Sequence, residues 1–257
     1  MGNFFDTLEQ RHALLFYFGL AYLVGAAFCL VMRLLTRRQV LGVNAYIKPF
    51  KFFLSSAILS FTLAWYVGYL GQRADLWILV PLILAVLCFQ DVYILLQAAR
   101  GQQSHFNGST PFYSRMFSLM ALTSFALTMA VLYLGFVFWT SDFPQLPLYY
   151  VWSIRIGLVL FVVFALQGFV MGARMAHTVG APDGSPGLPV VNWSRRFGDL
   201  RIAHFLGMHA LQILPLLSFY VLRNTTATIA AGLLYGALTI GIHVHALKGR
   251  PLLPGLR

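Results

Sequence analysis

Charged residues are scarce in this chain of 257 residues, where they make up 10% of the sequence against 59% hydrophobic residues. Soluble domains carry about 25% charged residues, and a soluble chain of this composition would expose too much apolar surface to stay in solution. The scarcity of charge therefore excludes a soluble globular protein. It predicts an all-α, polytopic integral membrane protein.

Acidic residues are scarcer still, with seven acids against 18 lysines and arginines and a net charge of +11. On a soluble domain such an excess would suggest nucleic-acid binding. Here the bases lie in short loops beside apolar segments, where they set membrane topology and contact lipid headgroups. This placement argues against a nucleic-acid partner and indicates the lipid bilayer instead.

Cysteine and lysine are also rare. The two cysteines, Cys29 and Cys88, fall inside apolar segments, which excludes a disulfide framework and a four-thiolate zinc site. The three lysines, Lys48, Lys51 and Lys248, all fall at predicted membrane interfaces. A retinal protein needs a lysine in the middle of its last helix, so that class is excluded as well.

Long hydrophobic runs, in contrast, are abundant. About 20 apolar residues are needed for a helix to cross the hydrocarbon region, and seven segments meet this length. They predict one seven-helix membrane domain over residues 1–257, with spans at 13–35, 50–70, 76–98, 116–139, 149–173, 202–222 and 225–247.

Basic residues are unevenly shared between the two sides of these spans. The loops after the first and fifth spans and the C-terminal tail hold most of them, whereas the alternate loops hold only Arg73 and Arg223. The positive-inside rule then puts the N-terminus outside and the C-terminus in the cytoplasm. The bias of arginine over lysine and the lack of eukaryotic targeting signals favour a bacterial inner membrane.

The connection at residues 174–201 is the longest and is rich in glycine and proline. Trp193 in its second half is a typical interfacial anchor, and Asp199 stands where it can cap the sixth helix. Both residues predict that this half is ordered. A lid over the cytoplasmic mouth and a linker lying along the headgroups both fit the sequence.

Two further features lie within the spans. Gly232 and Gly236 form a GxxxG pair, which predicts close approach of another helix to the seventh. Arg155 stands near the outer end of the fifth span, where it is expected to reach the interface or to pair with Asp142.

Histidines concentrate at the predicted cytoplasmic side. Six of the seven histidines fall there: His105, His177, His204, His209, His243 and His245. Imidazole is the commonest metal-ligating side chain, and helical phase and depth favour three of these residues. His204, His209 and His243 are therefore the predicted ligands of a zinc or iron ion, and His105 is a predicted catalytic contribution from a loop.

Asp91 is an acid within the third span and the second predicted catalytic residue. A carboxylate at that depth is costly, so it should face the protein interior. There it can orient a ligating histidine or act as a general base. A salt bridge to Lys48, Lys51 or a loop arginine is the alternative interpretation.

Three functions fit these residues. The first is a membrane-embedded, metal-dependent hydrolase or oxidoreductase acting on a lipid or other hydrophobic small molecule. The second is a haem b protein that exchanges electrons with quinone through axial ligands such as His209 and His243. The third is a proton-coupled or metal transporter or channel. A homo-oligomer and a subunit of a membrane complex both fit the composition.

Overall fold

The computed structural model describes residues 3–185 and 187–252, and within these ranges it contains seven long α-helices. These seven helices confirm the predicted all-α fold, and each is long and apolar enough to cross a membrane. The helices are α1 (Phe4–Leu35), α2 (Ile47–Leu70), α3 (Leu76–Arg100), α4 (Pro111–Thr140), α5 (Leu148–Arg174), α6 (Leu200–Leu217) and α7 (Thr225–Leu247). A short π-helix, Ser218–Leu222, continues α6.

The largest difference from the predicted spans is at the start of α1, which begins nine residues early. Asn3 and Asp6 form a reciprocal capping box there, so polar residues that hydropathy excludes are still helical. The fourth helix also begins early, at Pro111, after Thr110 accepts a hydrogen bond from the backbone N–H of Tyr113. Capping chemistry, which hydropathy does not register, accounts for both shifts.

The chain divides into two compact units, with the boundary inside α4 between Leu127 and Thr128. In the first unit α1 packs closely on α2, because Gly19 and Gly25 face the aromatic rings of Phe61 and Phe53. A short hairpin of β1 (Gln39–Val40) and β2 (Val43–Asn44) connects these two helices. The proposal of one seven-helix domain stays a prediction.

In the second unit α5 packs against both α6 and α7. At Gly157 an added Cβ would lie 3.1 Å from the Ala210 carbonyl oxygen, so α6 approaches the backbone of α5 directly. On α7, Gly232 and Gly236 face Ile156 and Leu160 of α5. The GxxxG pair therefore marks a close helix contact, as the spacing predicts.

Two arrangements are expected for Arg155, reaching the interface or pairing with Asp142, and the structure contradicts only the ion pair with Asp142. The Nε of Arg155 donates to the Phe138 carbonyl at 3.0 Å and its Nη2 to the Ser141 carbonyl at 3.1 Å. The Phe138 carbonyl belongs to the last turn of α4 and has no partner within the helix, and Ser141 follows the helix directly. The guanidinium of Arg155 has several N–H donors and can bind both carbonyls at once. The carboxylate of Asp142 lies in a loop, where water can solvate it instead.

Candidate functional site

The connection between α5 and α6 is ordered by one carboxylate. Asp199 is buried, accepts hydrogen bonds from the backbone N–H groups of Ser194 and Arg201, and pairs with the Arg201 guanidinium at 2.6 Å. Its role as the N-cap of α6, predicted from the sequence, is confirmed. Short strands β3 (Thr178–Val179) and β4 (Gly198–Asp199) pair antiparallel beside it.

The same connection lies against the end of α7. An added Cβ at Gly198 would fall 1.9 Å from the Ala246 carbonyl oxygen, so only glycine allows this approach. Directly after β3, Gly180 lies close to Gly249, which follows α7. The connection thus covers the end of the unit where α5 and α7 finish and α6 begins.

His204 projects from the second turn of α6 toward α5. Its Nδ1 donates to the Phe164 carbonyl at 2.7 Å, and its ring lies on Gly168, where an added Cβ would be 2.8 Å from the ring carbon Cε1. A neutral imidazole that donates from Nδ1 keeps its lone pair on Nε2. The backbone of α5 therefore fixes both the orientation and the tautomer of this ring.

His209 lies further along α6 and is held in a similar way. Its Nδ1 donates to Oε1 of Gln212 at 3.2 Å, and its ring lies 4.2 Å from the ring of Phe205. Phe205 in turn packs edge-on against Trp193 of the connection. Trp193 is thus a packing residue of this end of the unit.

His243 contacts α5 from α7. Its Nδ1 lies 3.1 Å from Nε2 of Gln167, while Oε1 of Gln167 is buried and has no hydrogen-bond partner among the described residues. Turning the amide over would exchange the two atoms and leave its nitrogen without a partner instead. In either orientation this amide has one group available to a bound molecule.

His177 was not among the favoured residues, because no pattern in the sequence reveals its partner. In the structure its Nδ1 lies 2.7 Å from Oδ2 of Asp183, and the carboxylate also accepts from the backbone N–H groups of His177 and Thr178. Burial would raise the pKa of Asp183, but these hydrogen bonds and the charge of His177 outweigh it and lower the pKa. The side chains of His177 and Asp183 meet because the connection between α5 and α6 folds back on itself.

These histidines share one end of the second unit. The imidazoles of His177 and His209 both act electrostatically on His204. His204 and His243 contact the same stretch of α5, at Phe164 to Gly168, from two different helices. We call His177, His204, His209 and His243, with Asp183 and Gln167, the histidine site.

The geometry of the histidines differs from the predicted three-histidine metal site. Among residues 3–185 and 187–252, no three His, Cys, Asp or Glu side chains are grouped so that they could hold a metal ion. The predicted ligands His204, His209 and His243 are each held by their own hydrogen bond through Nδ1. The site as it stands is therefore suited to acid–base chemistry by separately oriented imidazoles.

The two predicted catalytic residues, His105 and Asp91, belong to the first unit. His105 lies with Nδ1 3.1 Å from Nζ of Lys48 and its ring 5.8 Å from that of Phe52. Asp91 is buried in α3, receives a hydrogen bond from Ser56 and forms no ion pair with any described residue. The alternative interpretation, a salt bridge between Asp91 and a lysine, is therefore wrong.

The remaining histidine of α7, His245, points elsewhere, with Nε2 3.1 Å from the Pro251 carbonyl oxygen.

No protein-family model, no curated protein and no solved structure matches this chain.

Proposed function

We propose that the second unit is the catalytic part of a membrane-embedded enzyme that acts on a lipid or another hydrophobic molecule. The observation that carries this proposal is the Asp183–His177 pair, in which a carboxylate holds an imidazole within electrostatic range of the partly buried His204. A base, the group that orients it and a second imidazole are the usual components of a proton-transfer site.

The chemistry follows from the hydrogen bonds. In the neutral form of His177 the Nδ1–H is held by Asp183, so the basic lone pair lies on Nε2, where it can take a proton from a substrate or from water. The imidazolium that results is the charged form that lowers the pKa of Asp183. His204, with Nδ1–H held by the Phe164 carbonyl, also presents Nε2. Gln167 offers a substrate hydroxyl one amide group without a partner, either its oxygen or, with the amide turned over, its nitrogen.

A hydrophobic substrate is supported by the surroundings. Around α6 and α7 the outward-facing side chains are large and apolar, among them Leu216, Leu233, Leu234, Leu238 and Ile240. In a membrane these surfaces contact acyl chains, so a lipid-soluble molecule reaches this end of the unit without leaving the bilayer. With the positive-inside orientation, this end faces the cytoplasm, and we place the protein in a bacterial inner membrane.

A zinc or iron ion would extend the proposal to metal-assisted hydrolysis or oxidation, with Nε2 of His204 and His209 as ligands together with His243. Since no described group of three ligands is already assembled, binding would have to draw these imidazoles together. Acid–base catalysis by His177 and His204 needs no such rearrangement.

The test compares total lipid extracts, analysed by mass spectrometry, from cells that express the wild-type protein or single variants. We expect His177→Gln and His204→Gln to abolish a change in lipid composition that the wild type produces. His245→Gln is the matched control, because it makes the same chemical change on α7 at a residue whose side chain bonds the Pro251 carbonyl, outside the histidine site. It should behave as the wild type.

Absorption and element analysis of the purified protein decide the remaining alternatives. Stoichiometric zinc or iron that is lost in His204→Gln would support the metal-dependent form of the enzyme. A Soret band that disappears in His209→Gln or His243→Gln would overturn the proposal in favour of a haem protein. Lipid extracts that are the same with wild type and with His204→Gln would also contradict it.

A further inference from the structure

Asp91 provides a buried carboxylate in the first unit, where α1, α2 and α3 come together. The residue is 1% exposed and accepts a hydrogen bond from the side chain of Ser56 on α2. From α1, Tyr22 and Cys29 both lie close enough to interact with it electrostatically. These titratable neighbours supply no positive charge.

Two oxygen atoms in this region have no hydrogen-bond partner among the described residues. They are Oδ2 of Asp91 and Oγ of Ser60, both buried. Ser60 lies one helical turn beyond Ser56 on the same face of α2, because residues four apart lie one above the other. Buried polar atoms are almost always satisfied, so two on neighbouring helices indicate a bound species.

The charge balance indicates what that species is. A single carboxylate within a membrane span is costly, by about 2.5–3.5 kcal/mol on insertion scales, unless its charge is compensated. No described base forms an ion pair with Asp91. One positive charge is required, and the available ligand atoms are all oxygens, which hard cations prefer. A divalent ion would leave an uncompensated charge.

We propose that Asp91, Ser56 and Ser60 form a binding site for one monovalent cation, either a proton on Oδ2 or a sodium ion held by the carboxylate and the two hydroxyls. The site lies within the first unit and does not depend on the histidine site of the second. Failure of either proposal therefore leaves the other standing. The proposed site gives the first unit a cation-binding carboxylate within a membrane span, which cation-coupled membrane proteins require.

The experiment uses the full-length protein reconstituted in phospholipid vesicles and treated with dicyclohexylcarbodiimide, which modifies protonated carboxyl groups in apolar surroundings. Mass spectrometry locates the modified residue. We expect modification at Asp91 in the wild type and its loss in Asp91→Asn, which keeps the shape of the side chain. If sodium is the ligand, NaCl but not choline chloride at equal ionic strength slows the modification several-fold.

The variant Ser60→Ala separates the two cations. It should weaken protection by sodium while leaving modification by the carbodiimide intact, whereas a proton site should be insensitive to sodium in both proteins. Infrared spectra supply a second measurement, because a protonated Asp91 contributes a carboxylic C=O band that Asp91→Asn lacks. The proposal is overturned if Asp91→Asn leaves carbodiimide modification, the infrared spectrum and any sodium effect on thermal unfolding unchanged.

Discussion

Gly168 on α5 allows a test of how the histidine site is held, because the three atoms nearest to a methyl group placed there all belong to the imidazole of His204. The added Cβ of Gly168→Ala would lie 2.8 Å from Cε1 and 3.2 Å from Nδ1 of His204. Ordinary contact begins at 3.4 Å, so the ring must retreat by about 0.6 Å. That displacement stretches the hydrogen bond from Nδ1 of His204 to the Phe164 carbonyl oxygen, in which the nitrogen and the oxygen are 2.7 Å apart.

The free energy of unfolding should fall as a result. Overpacking typically destabilises by about 1–3 kcal/mol, and a weakened hydrogen bond adds about 0.5–1.5 kcal/mol. Alanine is favoured over glycine within a helix by about 1 kcal/mol, which opposes both effects. The balance is a net destabilisation of about 1–3 kcal/mol.

The assay is thermal unfolding in detergent, together with the lipid analysis described above. At about 2–4 °C per kcal/mol for a domain of this size, Gly168→Ala should lower Tm by several degrees and reduce the lipid change although every histidine is retained. Gly241→Ala on α7 is the control, since its Cβ would meet nothing within 4 Å. Equal Tm values and equal lipid profiles for the two variants would refute the reasoning.

Two further predictions concern the ends of the helices and the connection. Arg155→Met removes the guanidinium that binds the Phe138 and Ser141 carbonyls. It should lower the free energy of unfolding by at least about 1.5–3 kcal/mol, the contribution of one hydrogen bond from a charged group, and thermal unfolding measures this loss. Asp142→Asn should have no effect, and an equal loss in both variants would contradict this assignment. The lowered pKa of Asp183 means that its carboxylate contributes stability that is fully present above the unfolded pKa, about 3.9, and is lost as the pH falls through the native pKa. The Tm of the wild type should therefore drop below about pH 5 more steeply than that of Asp183→Asn, and parallel curves would exclude the contribution.

Most of the fold follows from hydrophobic length. The seven predicted spans each coincide with a helix, and five of their starts lie within three residues of the observed ones. The exceptions, at α1 and α4, begin at polar capping groups such as Asn3 and Thr110. A hydropathy average is insensitive to these groups, because a cap acts through single backbone N–H groups rather than through buried area.

The candidate site was less accessible to sequence reasoning. Helical phase selects His204, His209 and His243 as residues that face protein, and each makes a side-chain hydrogen bond within the second unit. It carries no information on His177 and Asp183, which lie outside the helices and meet only because the connection folds back. Nor does it reveal that the Nδ1 atoms of His204, His209 and His243 are held by a backbone carbonyl and by amide side chains.

The glycines of α5 and α6 link the stability of the second unit to the orientation of its imidazoles. Gly207 lies three residues after His204, on the same side of α6, and an added Cβ there would fall 2.0 Å from the ring of Phe164. The Phe164 carbonyl is the atom that holds His204. Close packing at Gly207 therefore brings the imidazole of His204 within hydrogen-bond distance of a main-chain carbonyl. A flexible side chain in place of this carbonyl would not hold the ring in one orientation. Any substitution that separates α6 from α5 should free His204 before it unfolds the helix, so loss of orientation is expected to precede loss of structure.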